Sequence, residues 1–154
     1  MSSAPDSPDA RPGVEDAPAS SWLLGRSVRI LTLESFSDDR GVLNPLTFDD
    51  WGFIPARAFV VRAPQGAVRG GHAHRRVRQV LFRASGVIQV ELRQEDARAQ
   101  LTLDDEHPAV LLEAGIWAQQ TYVAPESVLV VFADGPYDPA EYILVEHHSA
   151  GVES

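Results

Sequence analysis

The sequence predicts an all-β domain, a sandwich or small barrel. From Ser27 onward, apolar runs of four to seven residues are separated by Gly, Pro, Asp and Asn. These runs are rich in β-branched and aromatic side chains, which suit a pleated, half-buried surface. No stretch sustains the 3.6-residue period that a major helix requires. With 154 residues, 44% of them hydrophobic, the chain can close one full core and is too short for two.

Residues 1–20, MSSAPDSPDARPGVEDAPAS, hold four of the eleven prolines and only Met1 and Val14 as sizeable apolar groups. Such a stretch cannot offset the entropy of ordering, so it reads as a disordered tail before a single domain at residues 21–154. It has neither an apolar h-region nor a basic n-region, and no later stretch is long enough to span a bilayer. The expectation is a soluble, cytoplasmic protein. Strands are expected at SVRILTL (27–33), AFVVR (58–62), QVLFR (79–83), VIQVELR (87–93), AVLLE (109–113), QTYV (120–123), SVLVVFA (127–133) and YILVE (142–146). VIQVELR alternates, with Ile88, Val90 and Leu92 on one face and Gln89, Glu91 and Arg93 on the other, as in a half-buried strand. SVLVVFA is apolar on both faces, as a strand between two packed layers would be. SVRILTL reads as a long edge strand that a second subunit would cover.

Charge and composition narrow the chemistry. There is no cysteine, which removes disulfides, thiolate metal sites and cysteine nucleophiles together and leaves histidine, carboxylate and hydroxyl groups. A formal net charge of −9 argues against general nucleic-acid binding, which needs many phosphates neutralised at once. A small anion is still compatible, because all thirteen basic residues are arginine and Arg69, Arg75, Arg76 and Arg78 crowd one segment. The planar guanidinium fork suits phosphate. Arg75, Arg76 and Arg78 are equally readable as solvated; Arg69 is the stronger candidate.

That segment, GAVRGGHAHRRVRQVLFRASG at residues 66–86, places His72 and His74 one residue apart in a β-like run. Side chains alternate faces along a strand, so both imidazoles point the same way, with Cα atoms roughly 6–7 Å apart. Two neutral bases then address neighbouring atoms of one ligand. The alternative is an inert polar pair at a barrel rim.

The spacing resembles the first signature of the cupin superfamily: a glycine, five residues, His-x-His, four residues, an acidic ligand, six residues and a glycine. Gly66, His72, His74 and Gly86 fall in place, while Gln79 stands at the acidic position. The resemblance implies a double-stranded β-helix, a jelly-roll barrel whose mouth holds ligands. Metal-dependent cupins use three histidines and a glutamate, and the second signature brings the third histidine soon after a Pro-x-Gly turn. Here that region reads Glu113-Ala114-Gly115-Ile116-Trp117-Ala118, so Ala118 replaces the ligand. Two imidazoles and an amide hold a divalent ion poorly, and the expectation is a pocket without metal or other cofactor. His107, before Pro108 in a turn, and His147 and His148 read as surface residues.

Within the cupins, RGGHAHRRVRQVL at residues 69–81 resembles the sugar 3,4-ketoisomerases of nucleotide-linked deoxysugar pathways. DDRGVL (38–43) and PYDPAEYI (136–143) resemble that family's opening and closing motifs, and Gln79 at the glutamate position is itself a family trait. The resemblance implies a homodimer and a metal-free reaction on a small-molecule nucleotide sugar, in which the keto group moves between C4 and C3 of a 4-keto-6-deoxyhexose. It also implies that His72 and His74 move the protons. A base with an unperturbed pKa of about 6.5 both takes and gives protons near neutrality. Gln79 and Arg69 are candidates to stabilise the oxyanion, with Arg69 alternatively holding the diphosphate. Phe59, Trp117 and Tyr122 are candidate substrate contacts, though Trp117 and Tyr122 are also readable as core aromatics. The chain departs from the family where Phe59 and Val60 replace a Tyr-Tyr pair, where Ala118-Gln119 follows Trp117 in place of His-Glu, and at Leu144, where arginine is common. These departures keep two alternatives open: a non-catalytic cupin binding module, and a metal-free isomerase or cyclase acting on another secondary metabolite.

Overall fold

In the computed structural model, which describes residues 22–143, thirteen strands form two facing sheets and one hairpin. The expected tail at residues 1–20, and Leu144, His147 and His148, lie outside the described residues. The strands are β1 (Trp22–Leu23), β2 (Val28–Leu31), β3 (Phe36–Asp38), β4 (Gly41–Leu43), β5 (Arg57–Arg62), β6 (Val68–His74), β7 (Gln79–Ser85), β8 (Ile88–Gln94), β9 (Ala97–Leu103), β10 (Ala109–Leu112), β11 (Trp117–Tyr122), β12 (Val128–Ala133) and β13 (Tyr142–Ile143). One sheet runs β1-β2-β10-β7-β12-β5 and the other β13-β6-β11-β8-β9, while β3 and β4 pair only with each other. All pairings are antiparallel, and the architecture is the expected jelly roll. Among the described residues no helix is long and apolar enough to cross a membrane.

Alternation explains the layers. Ile88, Val90 and Leu92 are fully buried between the sheets, and burying each contributes about 1.5–3 kcal/mol relative to exposure. On β12 the inner face is Leu129, Val131 and Ala133, all buried. Its outer face is half-covered: Phe132 meets Phe48 edge-on at 4.9 Å, and Phe48 in turn packs on Trp51 and Phe53 around the 3-10 turn Phe48–Trp51. This aromatic patch accounts for Phe132 on the outer face of β12.

The expectation for SVRILTL needs correction. β2 is not a free edge: β10 pairs along its whole length on one side, and β1 covers Val28 and Arg29 on the other. Among the described residues the edges of the two large sheets are β1, β5, β9 and β13. β9 went unpredicted because only Leu101 and Leu103 on it are buried and its turn from β8, Glu95–Asp96, carries no glycine; Glu95 itself adopts the left-handed region, with φ of 53°.

β6 contains the feature that shapes the site. Against β11, His72 lies opposite Ala118 and Arg69 opposite Gln120, so three steps on β6 match two on β11. Gly70 and Gly71, with φ of 83° and 85°, form this one-residue bulge. A Cβ on Gly70 would sit 2.9 Å from the Ala118 carbonyl oxygen and 2.6 Å from Gln120 Oε1. Gly70→Ala therefore combines left-handed strain of about 1–2 kcal/mol with a backbone clash, lowering Tm by several degrees or more. Thermal unfolding checks this against Val60→Ala, an exposed change expected to stay within about 0.5 kcal/mol of the parent.

Candidate active site

A cavity of about 200 Å³ lies between the two sheets, lined from β5, β6, β7, β11, β12 and β13. β5 alternates burial, so Arg57, Phe59 and Val61 face the cavity while Val60 faces out at 49% exposure. From β6 come His72 and His74, and the bulge turns Arg69 onto the same wall although it lies an odd number of residues away. β7 adds Gln79 and Leu81, β11 adds Ala118, Gln120 and Tyr122, and β13 adds Tyr142. Six of the seven expected site residues thus share one cavity: Phe59, Arg69, His72, His74, Gln79 and Tyr122.

Trp117 is the exception. It precedes Ala118 on β11 and so points to the opposite face, where it is 2% exposed and the Arg93 guanidinium lies 4.3 Å over its ring. It is a packed aromatic on the outer face of its sheet and does not line the cavity. Arg75, Arg76 and Arg78 are likewise not free to take an anion together. Arg78 bonds Asp134 through its side chain at 2.9 Å and donates to the Gly52 carbonyl, while Arg75 Nε donates to the Ala140 carbonyl. The Glu141 carboxylate accepts from the backbone N–H of Arg76 and Val77. These bonds anchor the returning segment 134–143, which delivers Tyr142 to the cavity. His107 is exposed in its turn, as expected.

The two imidazoles lie with ring centroids 5.2 Å apart, and the Tyr142 ring sits 4.5 Å from His72 and 4.9 Å from His74. Burial lowers the pKa of both histidines. For His72 the Gly70 backbone works the other way; for His74, burial and the neighbouring His72, with a smaller contribution from Arg57, outweigh Glu141 and bring the value to about 4. Both rings are therefore neutral at pH 7. His74 Nε2 and the Tyr122 hydroxyl are buried without a hydrogen-bond partner among the described residues. Leaving such groups unpaired costs about 1–3 kcal/mol each, which a polar ligand in the cavity recovers. Burial raises the Tyr122 pKa against the opposing charge of Arg69, so its phenol stays a donor.

This donor set does not fit a cupin metal. Among the described residues no three His, Asp or Glu side chains converge, and across from His72 stands the methyl of Ala118. What converges is a pair of neutral bases, two phenols, the Gln79 and Gln120 amides and two guanidiniums. Arg57, Gln120 and Tyr142 were not singled out from sequence. Period-2 counting from Phe59 and from Tyr122 reaches Arg57 and Gln120, and Tyr142 lies inside the closing PYDPAEYI motif.

A family model described as FdtA, WxcM-like, C-terminal matches residues 26–148. The chain belongs to this WxcM-like C-terminal family. Among relatives of this WxcM-like chain, the TDP-4-oxo-6-deoxy-alpha-D-glucose-3,4-oxoisomerase of Aneurinibacillus thermoaerophilus is 35% identical over 121 residues, covering 75% of this chain and 84% of that protein. The WlaRB TDP-quinovose 3,4-ketoisomerase of Campylobacter jejuni matches with a TM-score of 0.69 and 26% identity, over 77% of this chain and 92% of that one. QdtA, a sugar 3,4-ketoisomerase from Thermoanaerobacterium thermosaccharolyticum solved in complex with TDP, gives a TM-score of 0.71 at 24% identity, over 77% and 88%. At that identity QdtA supports the fold.

The electrostatics of this WxcM-like site set a pH dependence. Between the ordinary histidine value of 6.5 and about 4, the unfolded chain binds protons at position 74 that the folded chain refuses. The contribution to stability is whole above pH 6.5 and falls as pH drops to about 4. NMR titration of the imidazole signals is expected to give a His74 midpoint near 4 and a His72 midpoint below 6.5. A His74 midpoint at or above 6.5 contradicts the desolvated site.

Proposed function

We propose that this chain is a sugar-nucleotide 3,4-ketoisomerase that moves the keto group between C4 and C3 of a nucleotide-linked 4-keto-6-deoxyhexose, with His72 and His74 carrying the protons. The observation that carries the reading is the pair of neutral imidazoles, 5.2 Å apart, on one wall of one cavity. The names of the oxoisomerase and ketoisomerase relatives support the substrate class.

The chemistry balances without an external oxidant. His74 takes the proton from C3, the C3–H electron pair becomes a C3–C4 double bond, and the former carbonyl electrons move onto O4. Protonation of that oxygen gives the enediol. The C3 hydroxyl then loses its proton as its carbonyl forms, and C4 receives a proton, relayed through His72. The net change moves one hydrogen from carbon to carbon and one from oxygen to oxygen. Neutral imidazoles suit the first step, because a base must be unprotonated to accept. Tyr122 and Tyr142 supply phenolic hydroxyls in a cavity where Phe59 has none, and Gln79, whose amide bonds no other described residue, is free to hold a sugar oxygen.

A cavity of about 200 Å³ is smaller than the about 300–1,000 Å³ typical of sites enclosing a whole ligand, so it suits the sugar with the nucleotide extending from the mouth. In this reading the diphosphate meets Arg69, which is exposed, unpaired among the described residues and at the far end of the wall from His74. The same reading includes a homodimer. It is favoured by the hairpin β3–β4, whose Phe36, Val42 and Leu43 are 57–65% exposed on a two-stranded ribbon that is marginal alone.

The test is incubation with TDP-4-keto-6-deoxyglucose in deuterium oxide with a chelator, followed by NMR. Enzyme-dependent deuterium incorporation and a 3-keto product are expected, with kcat reduced about 10²–10⁴-fold in His74→Asn. Tight binding without exchange would mean a binding module, and neither binding nor exchange a different substrate. Unchanged turnover in His74→Asn would remove that residue as principal base. Light scattering is expected to give twice the chain mass at micromolar concentration; a monomer contradicts the dimer.

A further inference from the structure

Arg57 is a cation with no carboxylate partner in a chain of net charge −9. No acidic oxygen among the described residues lies within 4 Å of its guanidinium, and the nearby acids are occupied elsewhere. Glu141 accepts from the Arg76 and Val77 backbone, and Asp138 caps the turn at Ala140. What holds Arg57 is aromatic: its Cζ lies 4.9 Å from the Phe59 centroid and 5.1 Å from that of Tyr137. Two rings lie against the guanidinium, and its N–H groups make no hydrogen bond among the described residues.

Its place along the cavity separates it from Arg69. Arg57 and Gln79 both lie opposite Ala133, one on either side of β12, at the end of the cavity where His74 and Tyr142 pair. Both Arg57 and His74 also line a small recess beside it. Val61 marks the other end of β5, four residues or about 13 Å away, and Arg69 the other end of the β6 wall. With the diphosphate at Arg69, the sugar ring extends toward the histidines, and Arg57 is the cation beside the reacting carbons.

We infer that Arg57 is a catalytic residue, its guanidinium held against the Phe59 and Tyr137 rings to bind the vicinal O3 and O4 of the enediolate. This rests on the ketoisomerase reading above. During the reaction negative charge leaves O4 and reappears on O3, and a planar fork with parallel N–H donors serves both oxygens without moving. The match resembles a bidentate arginine–carboxylate pair. A fixed, permanent cation in a site partly shut from water stabilises the charge where it develops, and the ground-state ketone gains less. Tyr137, 62% exposed, is a positioning residue that holds the fork from outside.

The experiment compares Arg57→Gln, Arg69→Gln and Tyr137→Leu by steady-state kinetics on TDP-4-keto-6-deoxyglucose and by calorimetric binding of TDP, which lacks the sugar. Arg57→Gln is expected to lower kcat about 10²–10³-fold while TDP affinity stays within about threefold of the parent. Arg69→Gln is expected to weaken TDP and raise KM. Tyr137→Leu, an exposed change that leaves the core untouched, is expected to lower kcat several-fold with TDP binding unaltered. Millimolar guanidinium ion restoring part of the turnover of Arg57→Ala, and none in Arg69→Ala, separates a missing cation from a disturbed fold. Arg57→Gln retaining kcat within threefold, or losing TDP affinity as Arg69→Gln does, overturns the assignment. Should the parent enzyme bind TDP and not isomerise the ketosugar, the functional reading fails first, and the role of Arg57 with it.

Discussion

The site depends on one constraint, the strict alternation of side chains along β6 and its single interruption at Gly70–Gly71. Alternation puts His72 and His74 on the same wall, and an extra residue then shifts the phase so that Arg69, three positions before His72, joins them. Only glycine suits this place: both residues have positive φ, and the Ala118 carbonyl approaches within contact distance of where a side chain would begin. A regular strand would turn Arg69 outward, away from the wall that carries His72 and His74. The bulge is thus what brings Arg69 into the cavity.

A second constraint is dryness. The histidines share the cavity with Leu81, Leu129 and Val131 from the opposing sheet and pack on Tyr142 from the returning segment. That segment stays in place because arginines next to the histidine motif, Arg75 and Arg78, spend their donors on Ala140 and Asp134. Desolvation keeps both imidazoles neutral and leaves His74 Nε2 without a partner. The same low-dielectric surroundings strengthen the interaction of Arg57 with any charge developing near it. Arg57 also helps keep His74 neutral, and under the proposed reaction it would stabilise the charge that proton removal creates.

Much of this was legible from residue order alone. Apolar runs of strand length gave the layers, and VIQVELR buries the face its alternation indicates. The His-x-His spacing located one wall of the cavity, and the cavity also takes in Gln79 and Ala118, the two positions where the spacing departs from a metal-ligand set. What sequence hid was long-range. β9 is too polar to announce itself, and whether SVRILTL is an edge depends on a two-residue strand, β1, beside it. Trp117 and Ala118 are neighbours, and only the register with β6 shows which of them faces the cavity. The role of Arg78 requires knowing that Asp134, 56 residues later, returns to it.

The central claim is that two uncharged imidazoles on one strand face C3 and C4 of a single bound sugar. A crystal structure of the His74→Asn variant with TDP-4-keto-6-deoxyglucose tests it most directly. The account predicts the hexose in the cavity between the sheets, C3 and C4 turned toward His72 and position 74 at about 3–3.5 Å, and the diphosphate at Arg69. A sugar seated outside the cavity, or bound with those carbons turned away from β6, would contradict it.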